Sequence, residues 1–121
     1  RQGSITKSSK INTDAVAAAG KVLNYYIEKK WNQAIPYAVQ SYVMANIGVY
    51  NAFLIRNNNR EEQVKYRMNV IEIMRKQEMS LEGMSRARKI QLFLFRRMIG
   101  IYNMMFRIFN QNRTRFIRNK E

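Results

Sequence analysis

The sequence has 121 residues and contains neither cysteine nor histidine. Without cysteine there is no disulfide framework, thiol nucleophile, zinc knuckle or iron–sulfur ligation. Without histidine the commonest general base and metal ligand is missing as well. Proline occurs once, at Pro36, and the five glycines are scattered. So few breakers favour long helices, and no glycine-rich loop is present to cradle a phosphate. Acids are also scarce, eight against 22 bases. Glu61 precedes Lys65 and Glu72 precedes Lys76 by four residues, the spacing of a solvated helix face. No pair of carboxylates lies in an apolar setting that would suit acid–base work. These absences predict a non-enzyme with no cofactor, no metal and no small-molecule substrate.

The excess of bases gives a formal net charge of +14. A charge of this size calls for an anionic partner such as nucleic acid, an acidic lipid surface or an acidic protein. The charge is uneven, because residues 86 to 121 hold ten bases and one acid, Glu121.

One stretch carries no formal charge. It runs from Trp31 to Ile55, WNQAIPYAVQSYVMANIGVYNAFLI, between Lys29–Lys30 and Arg56. Pro36 fits the first turn of a helix, where its missing N–H has no partner to lose. From Tyr37 onward the stretch would run about 28 Å as a helix. That is close to the roughly 30 Å of a hydrocarbon core. Small residues recur at helical spacing, and Ser41, Ala45, Gly48 and Ala52 are the expected helix-packing stripe. Trp31 and Tyr37 stand beside lysines, as in an interfacial aromatic belt. Against a span stand Gln33, Gln40, Ser41, Asn46 and Asn51, which are costly in hydrocarbon without partners. A helix buried in a bundle accommodates them better.

Taken in order, residues 1–12 are basic and without periodicity, so they predict a flexible arm. Asn12, Thr13 and Asp14 are candidate caps for a first helix over 14–33, with Val16, Leu23, Ile27 and Trp31 on its apolar face. The second helix spans 36–56. Asn59 with Glu62 resembles a capping box and opens a third helix over 60–79. A break is expected around Met79 to Gly83, followed by a long helix over 81–112 and a basic tail over 113–121. The expectation is therefore an all-α chain of about four helices forming one domain, 13–112.

The last helix is apolar over more than half its circumference between Ile90 and Phe109. Such a helix is buried on several sides or lies in a membrane interface. Arg86, Arg88, Lys89, Arg96, Arg97, Arg107, Arg113, Arg115 and Arg118 are the candidate residues for an anionic partner. Arginine binds phosphate bidentately and stays charged when partly desolvated. The best fit is a non-catalytic structural or accessory subunit of a larger assembly, associated with a membrane, anchored by the uncharged helix 37–55 and the basic amphipathic C-terminal helix, and touching other protein subunits and anionic lipid headgroups. The setting expected is an organellar or bacterial membrane complex. The alternative is a nucleic-acid-binding protein of a virion or nucleoprotein particle, using residues 86–120.

Overall fold

The structure is a computed structural model. It describes residues 11–57 and 59–120, with Asn57 and 112–120 described by backbone alone. The expected flexible arm lies outside the described residues up to Lys10. Among the described residues every regular element is helical: α1 (Asp14–Lys29), α2 (Ile35–Ala52) with a π-helical turn at Phe53–Asn57, α3 (Arg60–Lys76), α4 (Arg86–Arg97) and α5 (Ile99–Lys120). The chain forms two compact units, Arg1–Glu82 and Gly83–Glu121, where one domain over 13–112 was expected.

Thr13 stands at the cap position of the first helix without a side-chain bond, and just before it the Asn12 side-chain oxygen accepts from the Asp14 N–H at 2.8 Å. It ends at Lys29, four residues short of the expected end. Lys30 adopts a left-handed conformation, φ 59° and ψ 38°. Its N–H donates to the Ile27 carbonyl, and the Trp31 N–H donates to the Tyr26 carbonyl at 3.0 Å. This is the Schellman pattern, and its usual hydrophobic contact is present. The Trp31 ring packs on Tyr26 with centroids 5.2 Å apart. A lysine fills a position where glycine is customary, so no glycine marks this helix end.

The second helix carries Pro36 in its first turn, as its missing N–H permits. It packs against both α1 and α3. Val39, Val43 and Ile47 are buried on it, with Leu23 from α1 and Tyr66 and Val70 from α3. Removing an aliphatic side chain of this size from water contributes about 1.5–3 kcal/mol. The π turn follows, and both Phe53 and Leu54 are buried within it. Phe53 stacks on Tyr66 at 5.9 Å between centroids. The third helix is capped as expected, with the Asn59 side chain accepting from the Glu62 N–H at 3.1 Å.

Two of the amides that argued against a membrane span have protein partners. Asn46 is fully buried, donating to the Tyr42 carbonyl and accepting from the Asn69 amide at 2.9 Å. Gln40 donates to the carbonyls of Ser80 and Glu82 at 2.8 and 3.1 Å. Among the described residues no helix is long and apolar enough to cross a membrane. The anchoring role expected of 37–55 is therefore corrected. This stretch forms the central helix of the first unit, where Asn46 and Gln40 bond to neighbouring side chains and backbone.

After α3 the chain is extended at Gln77 and returns to the start of α2. The Ser80 N–H donates to the Pro36 carbonyl at 3.1 Å, and the Tyr37 hydroxyl donates to the Glu82 carboxylate. These bonds hold residues 80–82 as a strap on α2. They account for two differences: α3 stops at Lys76, and the next helix begins at Arg86 instead of 81. Ser85 caps that helix, its hydroxyl oxygen accepting from the Arg88 N–H at 3.2 Å.

The expected helix over 81–112 is also broken at Met98, whose φ of −135° and ψ of 63° are not helical. In a straight helix the seven-residue step from Phe95 to Tyr102 would cover about 10 Å. Their ring centroids are 5.1 Å apart, edge to face. The break therefore folds α5 back on α4. Beyond it the helix runs through the expected tail as far as Lys120.

Candidate functional site

The second unit consists of α4 and α5, and two helices can cover each other on only one side. Leu92, Phe95 and Tyr102 are buried there. The Gln91 amide donates to the Tyr102 hydroxyl at 3.2 Å, and Phe106 stacks on Tyr102 at 6.0 Å. Beyond this contact α5 turns apolar side chains outward. Ile101, Met104 and Ile108, three and four residues apart on one helix face, are exposed, Met104 by 57%; Met105 and Phe109, nearer α4, are exposed as well, Phe109 by 61%. Ile90 and Phe93 are exposed on α4 at 54% and 55%. A helix apolar on both its inner and outer faces is unusual at a protein surface.

Between the helices runs a groove of about 350 Å³. Ala87, Ile90 and Leu94 line it from α4, and Met105, Phe106 and Phe109 from α5. Gln91 and Tyr102 are its polar members, and they bond to each other.

Arg86, Arg88, Lys89, Arg97 and Arg107 are exposed, and Arg96 is half-buried. The side chains of Arg113, Arg115 and Arg118 lie outside the described residues, although their backbone continues α5. No carboxylate occurs between Gly83 and Lys120, so no acid of the unit's own helices neutralises these cations. Basic charge and exposed apolar surface thus occupy the same pair of helices.

The small-residue stripe of α2 is placed differently from expectation. Ser41 and Gly48 are exposed and Ala45 and Ala52 half-buried. A Cβ added at Gly48 would meet nothing within 4 Å. Among the described residues of the first unit no helix closes on Gly48. The close approach between helices is made instead at Gly20, where an added Cβ would stand 3.4 Å from the Tyr42 ring. The stripe and the basic residues lie in different units.

Sequence reasoning missed the groove, because nothing at Met98 announces a break. It also missed an aromatic knob on the first unit. Trp31 and Tyr25 are each 48% exposed and meet edge to face at 5.5 Å, with the Lys29 ammonium 5.6 Å from the Tyr25 ring centre. The run of Tyr25, Tyr26, Lys29, Lys30 and Trp31 was the available signal.

No family model, curated protein or solved structure matches the chain. The functional reading therefore rests on these residues and their chemistry.

Proposed function

We propose that the protein is a non-catalytic accessory subunit of a larger assembly and that its second unit docks on an anionic membrane surface. One observation carries the reading. The outward face of α5 carries the exposed Ile101, Met104 and Ile108, on a unit whose side chains include bases and no acid before Glu121. An interfacial helix gains by burying such a face among acyl chains while its arginines meet phosphates. The uncharged stretch takes no part, since it forms the core of the first unit.

Nucleic-acid binding is the second reading. It has the same cations but fewer platforms for bases. Phe95 is fully buried and Tyr102 nearly so, and Phe106 is stacked on Tyr102.

Co-sedimentation with vesicles distinguishes the two readings. Vesicles containing phosphatidylglycerol are expected to bind the full chain, and pure phosphatidylcholine vesicles to bind it far less. Met104→Ser combined with Ile108→Ser should weaken that binding at least tenfold while leaving the circular dichroism unchanged. Binding to single-stranded RNA with a steep salt dependence, without vesicle binding, would replace the membrane reading with the nucleic-acid one.

A further inference from the structure

The groove between α4 and α5 has properties that a flat interfacial face does not need. Its volume of about 350 Å³ falls in the range of roughly 300–1,000 Å³ usual for small-ligand sites. Its Gln91 amide and Tyr102 hydroxyl satisfy each other. The groove therefore offers its occupant apolar contact, and a polar occupant would lose hydrogen bonds on entering.

Charge lies along one edge. Arg86 precedes Ile90 by four residues, and Arg97 follows Leu94 by three. On a helix such neighbours share a side, so both arginines flank the α4 edge of the groove. Both are exposed, and no carboxylate in 83–120 competes for them. Arginine at such an edge takes phosphate oxygens in pairs. The α5 edge carries the exposed apolar residues Ile101 and Ile108 instead.

We infer that this groove holds one alkyl chain of an anionic amphiphile, with the head group on Arg86 and Arg97. The choice of lipid as its source rests on the membrane docking proposed above. An alkyl chain suits this groove because it asks for no hydrogen bond where Gln91 and Tyr102 are already paired, and because a head group on it reaches the arginines of the α4 edge. The chain is slim enough to enter, and the apolar α5 edge continues the acyl environment from which it comes.

Methionine methyl NMR on the full chain tests this, because Met105 lines the groove and Met104 does not. The Met105 resonance is assigned through Met105→Leu. The probes are decyl phosphate and decyl maltoside, each as monomers below its micelle concentration. Decyl phosphate is expected to shift Met105 and leave Met104 in place, with the maltoside at least tenfold weaker. Ala87→Trp, which fills an exposed wall of the groove, should abolish the shift and leave binding to phosphatidylglycerol vesicles within twofold. Equal affinity for both probes would overturn the anionic part of the inference. Vesicle binding with no Met105 shift would overturn the groove occupant and leave the docking intact. A Met105 shift with no vesicle binding would keep the occupant and remove the membrane.

Discussion

The two units treat their apolar residues in opposite ways. Among the described residues the first unit buries thirteen hydrophobic side chains and exposes seven large ones, while the second buries three and exposes eight. Composition does not explain this, since both units are rich in Ile, Met and aromatic residues. Closure does. In the first unit α2 lies against α1 and α3 and is covered from two sides. In the second, α4 and α5 have only each other within the unit. A small unit buries a smaller share of its surface, and here the uncovered share is apolar and cationic at once.

The comparison is broken most severely by a truncation on each side of it. Ile47 is 2% exposed at the centre of α2. Ile47→Ala should destabilise the first unit by about 2–5 kcal/mol, as buried aliphatic truncations do. Ile108 is 51% exposed on α5. Ile108→Ala should change stability by no more than about 0.5 kcal/mol. Urea unfolding followed by circular dichroism measures both. A comparable loss at Ile108 would mean that the α5 face is core, and the contrast between the units would disappear.

How legible this was in the sequence depended on whether the local signal was also the one that decided the structure. Asn59 and Glu62 formed the cap their spacing announced. The break around Met79 to Gly83 was marked by Ser80 and Gly83, and Gly83 indeed adopts a positive φ of 82°. The uncharged stretch was readable as a helix, and its amides already pointed to protein partners, which Asn46 and Gln40 have. Two ends were not readable. Lys30 takes a glycine's conformation where Trp31 packs back on Tyr26, a contact within the helix end itself that residue propensities do not encode. Met98 has neither proline nor an adjacent glycine to mark it, and the break there is supported by Phe95, Gln91 and Tyr102 meeting across it. The groove depends wholly on that break, so the site was hidden while its residues were in view.

A smaller effect sharpens the account of the first unit. A left-handed conformation costs a residue with a Cβ roughly 1–2 kcal/mol, and glycine gives back part of that gain through its freer unfolded state. Lys30→Gly should therefore raise the stability of the first unit by about 0.5–1 kcal/mol. The readout is the midpoint of urea unfolding, with Trp31 as the only tryptophan to report it. A lower midpoint would show that the Lys30 side chain contributes more than its backbone conformation costs.

The smallest effect concerns the strap that ends the first unit. The Tyr37 hydroxyl donates to the Glu82 carboxylate, and this bond raises the phenol above its usual value of 10.0. Repulsion between the carboxylate and a phenolate adds to the rise, partial desolvation adds a little, and a hydrogen bond with Ser80 opposes it. A folded-state value above the unfolded one means that the stabilisation is fully present below pH 10 and is lost as pH rises through the raised value. Tyr37→Phe should thus be less stable than the parent at pH 8, with the difference closing above pH 10. The ultraviolet tyrosinate titration gives an independent readout: the late-ionising absorbance should be smaller in the variant by one tyrosine. If it is undiminished in Tyr37→Phe, the strap is held by the Gln40 amide and the Pro36 carbonyl alone. The end of the first unit would then be fixed by bonds to backbone, independent of pH.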